Sequence, residues 1–140
     1  MIDQLTRDIL LRKADPIAAQ TNMSKPQLAA YLVDAAEKGK AYTCRTGMTV
    51  WYMVPRNAHT VELHMFSEDG SAAVARGVYE CMADARRRGY RRMEGRTAHK
   101  GFIALAKRCG WVLEGIRRQS HFNGTDYVDE YEMGVLLWAE

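Results

Sequence analysis

The strongest constraint in this 140-residue chain is a strand–helix–strand run between Val61 and Thr97. Val61-Glu-Leu-His-Met-Phe66 has the period of a strand, with Val61, Leu63 and Met65 on one face and Glu62, His64 and Phe66 on the other. A long helix follows from Ser71 to about Arg88, turning Val74, Val78, Cys81, Met82 and Ala85 towards a core. After Gly89 comes a second strand, Arg92–Thr97. A unit of that length lays its strands side by side and parallel, with the helix crossing between them. A helix that begins in a loop after a strand also offers free N–H groups, which suit a phosphate.

The remaining segments fit around that unit. Among the first twenty residues, Ile2, Leu5 and Ile9 have helical spacing, yet Ile9-Leu-Leu11 also reads as a short strand before Asp15-Pro16. Ser24-Lys-Pro-Gln27 opens a helix, with Ser24 as N-cap, Gln27 closing a capping box and Pro26 in the first turn. Leu28, Tyr31, Leu32 and Ala35 form its apolar stripe, and Gly39 ends it. Ala41–Arg45 and Met48–Val54 are rich in β-formers and meet at Thr46-Gly47 in a hairpin. Beyond Thr97, a short helix ends in Lys107-Arg-Cys-Gly-Trp111. Trp111–Phe122 then pairs with Thr125–Leu137 in a hairpin turning on Asn123-Gly124. This order predicts an α/β (α+β) fold in one domain, 1–140, with a mixed central sheet, helices on both faces and a C-terminal β-hairpin.

Composition narrows the function classes. No apolar run approaches the roughly 20 residues needed to cross a membrane, and no apolar leader follows Met1, so a cytoplasmic protein is expected. Cys44, Cys81 and Cys109 are odd in number and scattered, and read as buried thiols. His59, His64, His99 and His121 show no ligand spacing, so no metal site is expected. A net charge of +3 does not by itself indicate nucleic acid. Arg86-Arg-Arg88, with Arg91, Arg92 and Arg96, reads either as a dipole-complementing helix end or as an anion patch. It lacks the aromatic interleaving that base stacking uses, so nucleic acid is not the expected partner.

Ile103-Ala-Leu-Ala-Lys-Arg-Cys-Gly-Trp-Val-Leu-Glu-Gly115 resembles the fourth helix, its glycine–aromatic end and the following strand of the GNAT (GCN5-related N-acetyltransferase) family. The likeness continues through Arg117, Gly124 and Asp126 to Val135-Leu-Leu137, as in the branch that acetylates protein N-termini and ribosomal proteins. Val61–Thr97 is similar to the family's fourth strand, third helix and fifth strand in length and position. The resemblance implies that acetyl-CoA lies between splayed fourth and fifth strands, its pantetheine bonded along the strand edge at Met65 and Phe66. It also implies an oxyanion held by N–H groups of a bulged fourth strand, and a pyrophosphate on the N–H groups of Gly70, Ser71, Ala72 and Ala73, with Arg76 adding charge.

The family's R/Q-x-x-G-x-G/A motif falls on Asp69-Gly-Ser-Ala-Ala-Val74. Asp69 replaces Arg or Gln, Ala72 replaces a glycine, and Val74 replaces the second small residue. A carboxylate repels a pyrophosphate and a Cβ blocks its approach to backbone, so a hindered cofactor loop is expected. The family's tyrosine acid and its helix-start asparagine fall on Ala106 and His99. The base candidates are Glu62 and His64, which share a strand face near the splay; His99 is a further candidate, or a helix cap. Asp126, Asp129, Glu130 and Glu132 would greet a cationic amine or form a solvated hairpin face, and Tyr127 and Tyr131 read as packing residues. The resemblance therefore implies an N-acetyltransferase moving an acetyl group from acetyl-CoA to an amine. The departures from the motif imply the alternative, a catalytically inactive GNAT-fold binding or structural protein with a protein partner in an assembly. The small GNAT-like proteins of bacteriophages, some of them virion components, look similar in reduced length and eroded loop.

Overall fold

Most helix boundaries have a local chemical cause. The structure, a computed structural model, describes residues 2–138. The first segment is helical rather than extended: α1 (Gln4–Lys13) is N-capped by Asp3, whose carboxylate accepts the Thr6 N–H at 2.8 Å, and Ile9 and Leu10 are fully buried. A single turn, α2 (Asp15–Ala18), leads to α3 (Lys25–Glu37), which opens with the expected Ser24–Gln27 capping box. The buried face of α3 is Leu28, Ala29, Leu32 and Val33, whereas Tyr31 is 61% exposed. The predicted stripe was thus rotated: Ala29 and Val33, each one position after a leucine, complete the face, and Tyr31 points to solvent.

The sheet is built from β1 (Tyr42–Thr46), β2 (Thr49–Pro55), β3 (Thr60–Ser67), β4 (Arg92–Thr97), β5 (Val112–Phe122) and β6 (Tyr127–Leu136). Helix α4 (Ser71–Arg87) joins β3 to β4, and α5 (Lys100–Arg108) joins β4 to β5. The strand order is β1-β2-β3-β4-β6-β5, with β3 and β4 parallel and every other neighbour antiparallel, so the sheet is mixed as expected. Both hairpin turns differ from their predictions. Thr46 pairs with Thr49, which puts Gly47 (φ 59) and Met48 in the turn, one residue later than expected. Phe122 pairs with Tyr127, leaving four residues rather than two in the closing loop. There the Asn123 side-chain oxygen accepts the N–H groups of Thr125 and Asp126 at 2.9 and 2.8 Å, an Asx turn that outcompetes the tight Asn-Gly turn.

Helices cover the two faces unequally. On one face α4 and α5 pack Val74, Val78, Cys81, Ile103 and Leu105 against Trp51, Val61, Met93, Met133 and Val135. Gly77 lets α4 come close, since a Cβ there would stand 2.7 Å from the Trp51 ring. On the other face α1 and α3 cover β2 and β3 through Ile9, Leu10, Leu28 and Leu32 against Val50, Tyr52 and Phe66. Beyond β3 that face is open: Val112 and Leu136 are 60% and 61% exposed, and the Arg92–Glu114 ion pair lies across Gly134, where a Cβ would come within 2.6 Å of Glu114.

The arginine-rich end of α4 is internally paired. Asp84 binds Arg87 and Arg88, while Arg86 and Arg88 stack on the Trp138 and Tyr42 rings, each 4.3 Å from the ring centre. That pairing favours the dipole-complementing reading. Cys81 and Cys109 are buried, Cys44 is half-buried, and all three are free thiols. No described helix is long and apolar enough to cross a membrane.

Candidate active site

The site begins where the sheet divides. β3 and β4 pair only at Thr60–Arg92, Val61–Met93 and Glu62–Glu94. Past that point β3 continues to Ser67 on β2, and β4 continues to Thr97 on β6. Gly95 stands at the crotch: a Cβ there would lie 3.1 Å from the Leu63 carbonyl oxygen. The strands therefore approach tightly and then part. The register between β2 and β3 is unbroken from Thr49–Ser67 to Pro55–Val61, so the bulge expected in this strand is absent. The resulting cleft, of ≈ 1660 Å³, is walled by the two diverging strands, the starts of α4 and α5, the α1–α2 segment and the closing hairpin.

Glu62 and His64 sit together in this cleft, as expected from strand period. His64 Nε2 lies 3.2 Å from Glu62 Oε1, and Arg56 donates to Glu62 Oε2 at 2.8 Å. The Glu62 side chain is only 16% exposed. The His64 hydrogen bond, aided by Arg56 and opposed by burial, pulls its carboxyl down to about 2. A carboxylate so firmly ionised is a weak proton acceptor near neutrality but a strong orienter of an imidazole. A neutral ring with its proton on Nε2, towards Glu62, keeps its lone pair on Nδ1.

The hairpin and the α1–α2 segment are tied across the cleft by Gln20, whose side chain donates to the Phe122 carbonyl at 2.5 Å and accepts its N–H at 3.0 Å. Of the acidic hairpin set, Asp129 and Glu130 line the cleft, and Asp126 and Glu132 do not. Asp129 accepts the N–H of Gln119, a residue held at φ 50, and Glu130 accepts the Ser120 hydroxyl.

No protein-family model and no curated protein matches this chain. Solved structures do. A mutant spermidine N-acetyltransferase from Vibrio cholerae superposes with a TM-score of 0.75 at 11% identity, covering 97% of this chain and 92% of its own. A ribosomal-protein-alanine N-acetyltransferase from Brucella melitensis gives 0.72 at 15% identity, covering 96% of each chain. A GNAT family acetyltransferase from Elizabethkingia anophelis, with acetyl-CoA bound, gives 0.58 at 13% identity over 76% of this chain and 82% of that one. The chain has the GNAT fold.

On that fold the cofactor loop is arranged differently from its sequence reading. The Asp69 carboxylate turns back to the β1–β2 turn, accepting the Met48 N–H at 2.9 Å and the Thr49 hydroxyl at 2.7 Å. Its charge is spent on that corner. Val74 is buried in the core between α4 and the sheet, with one side forming cleft wall. Gly70 is the N-cap of α4, contributes no capping side chain, and has open space where a Cβ would stand. The first-turn N–H groups of Ser71, Ala72 and Ala73 have no acceptor within the helix, which is what a pyrophosphate requires. Arg76 is exposed one turn further on, outside the residues that line the cleft. Met65 and Phe66 both border the cleft, and the Phe66 ring is buried edge-on against Tyr52.

Trp111 was missed as a site residue. It is 95% buried by its neighbours (5% exposed), lines the cleft, and its Nε1–H has no partner among the described residues. The open α4 start fits the phosphate acceptors of an acyl-CoA. Gly95 and Arg56 were also missed, because their roles depend on a strand divergence and a cross-loop ion pair that periodicity does not encode. His99 proves to be a cap: its Nδ1 accepts the Phe102 N–H at 3.1 Å at the start of α5. Ala106, at the GNAT tyrosine position, is 1% exposed within the core. Tyr131 packs on the core, and Tyr127 is exposed at the cleft rim against Phe122.

Proposed function

We propose that this chain is an N-acetyltransferase whose base is His64, oriented by Glu62, acting at the fork between β3 and β4. The observation that carries the reading is the Glu62–His64 pair itself, 3.2 Å apart and set beside the point where the strands diverge. The N–H groups from Gly70 to Ala73 would hold the pyrophosphate of acetyl-CoA, with Arg76 close by in sequence on the same helix. The groove between α4 and α5, lined by Ala72, Ala75, Tyr79 and Arg108, suits the nucleotide end. The edge of β3 from Leu63 to Phe66, freed by the fork, offers backbone groups to the pantetheine amides.

Acetyl-CoA, when bound, supplies an activated acyl carbon. His64 Nδ1 accepts a proton from the acceptor amine as the amine nitrogen bonds to that carbon and the carbon–sulfur bond breaks. Glu62 stabilises the imidazolium that forms, and the base contributes a rate factor of about 10²–10⁴. With no tyrosine on α5, solvent returns a proton to the leaving sulfur. Asp129 and Glu130 on the hairpin wall favour a cationic amine as acceptor.

Calorimetric titration with acetyl-CoA at low salt, alongside thermal unfolding, tests this reading. Ligand at 100 times its dissociation constant stabilises the fold by about 2.7 kcal/mol. Binding followed by release of free thiol when amines are added supports the enzyme. Absence of binding at millimolar ligand overturns it in favour of the second reading, a GNAT-shaped module for a protein partner, which the missing α5 tyrosine favours.

A further inference from the structure

The candidate base belongs to a longer chain of charges on the open side of the sheet. From His64 it runs to Glu62, from Glu62 to Arg56, from Arg56 Nε to Glu94 at 3.8 Å, from Glu94 to Arg92 at 3.3 Å, and from Arg92 to Glu114. Arg56 is its hub, and it does not line the cleft. Its backbone is braced: its N–H donates to the Thr60 carbonyl at 2.9 Å, and the Asn57 side chain accepts the N–H groups of His59 and Thr60. The two oxygens of Glu62 are divided between partners, Oε1 for His64 and Oε2 for Arg56.

We propose that Arg56 is a positioning residue for the base: by holding Glu62 Oε2 it turns Oε1 onto His64 Nε2 and leaves Nδ1 as the basic nitrogen. The proposal rests on the acetyl-transfer reading for its consequence and on geometry for its substance. A planar guanidinium fixes the orientation of a carboxylate in a way that a mobile ammonium or water does not. Several elements bring charged groups near the pair, and Asp15, Arg96, Lys100, His121, Asp129 and Glu130 line the same cleft. Across β4, Glu94 faces Glu62 and would repel it without Arg56 between them; across β2, Glu62 meets Val54, and His64 meets Tyr52, whose hydroxyl is donated to the Leu32 carbonyl. From α1, Arg12 is engaged by Glu68, and Lys13 lines the cleft.

The test is nitrogen-15 NMR of histidine-labelled protein, with carboxyl titration of Glu62, in the parent, Arg56→Met and Arg56→Lys. Arg56 is half-exposed, so its replacement leaves the core untouched. In the parent the neutral His64 ring carries its proton on Nε2. Arg56→Met is expected to mix the tautomers and to raise the Glu62 titration by about one unit, and Arg56→Lys to restore part of both. In acetyl transfer, Arg56→Met should lower kcat about tenfold, the equivalent of one charge-assisted hydrogen bond, with KM for acetyl-CoA unchanged. Parent-like tautomer and titration in Arg56→Met would overturn the proposal, whatever happens to the rate. If the NMR changes appear in a protein that transfers no acetyl group, the positioning stands and the enzymatic reading falls.

Discussion

The two ends of β3 face the same cleft and satisfy their polar groups in opposite ways. At the fork, Glu62 pairs with both Arg56 and His64, and no hydrogen bond or ion pair engages His64 Nδ1 among the described residues. At the far end, Ser67 and Asp69 form a closed knot with Thr49 and Met48, including a 2.6 Å contact between the Ser67 and Thr49 hydroxyls. There the side chains are spent, and the groups left over are backbone N–H at the start of α4. On the proposed reading, chemistry at the first end would depend on side-chain identity, and binding at the second on backbone shape. On the same reading, a loop that departs from the family motif would still have backbone N–H groups to offer an anion.

The largest expected effect that would break this comparison is at the fork. His64→Ala should cut acetyl transfer by about 10²–10⁴ in a protein that still unfolds cooperatively, because the ring is 38% exposed. An unchanged rate would remove the base from the fork. Next comes the knot. Asp69→Arg restores the residue type of the family motif, yet it strips the Met48 N–H and Thr49 hydroxyl of their acceptor. Urea unfolding should show a loss of about 2–3 kcal/mol and no gain in CoA affinity. A variant that binds CoA more tightly at no cost in stability would show that Asp69 obstructs the cofactor after all.

Trp111→Phe sharpens the comparison at a smaller scale. Removing a buried orphan donor should stabilise the free protein by about 1 kcal/mol and, since that donor is sealed from solvent, leave its affinity for acetyl-CoA unchanged, both readable in one thermal-shift titration. A last test lies in acid. Because the folded-state value of Glu62 is depressed from 4.5 to about 2, its stabilisation is complete above pH 4.5 and is lost as pH falls towards 2. The stability gap between the parent and Glu62→Gln should narrow over that window in urea midpoints, and a gap independent of pH would deny that Glu62 is held ionised by its neighbours.

Local signals read the chain well where neighbours in sequence are also neighbours in space. The Ser24–Gln27 capping box, the alternation along Val61–Phe66 and the parallel strand–helix–strand unit all lie within that reach. Tyr31 was misplaced because two adjacent columns of α3 were both apolar enough to be the buried face. Asn123-Gly124 was misread because Asn123 also caps two N–H groups of its own loop. For the site, the pairing of Glu62 with His64 was legible from period two, and the roles within the pair were not. The engagement of Asp69 was not legible because its partners lie 20 and 21 residues upstream, in a turn that only folding brings alongside.

Sequence by itself determined the elements, their order and the face each strand presents, since propensity, capping and periodicity act over a few residues. Tertiary structure decided where the sheet divides, how Glu62 is shared between His64 and Arg56, where Asp69 spends its charge, and that Gln20 reaches Phe122, 102 residues away. Each of those outcomes depends on hydrogen bonds and close approaches between distant segments, and their geometry exists only once the sheet has assembled.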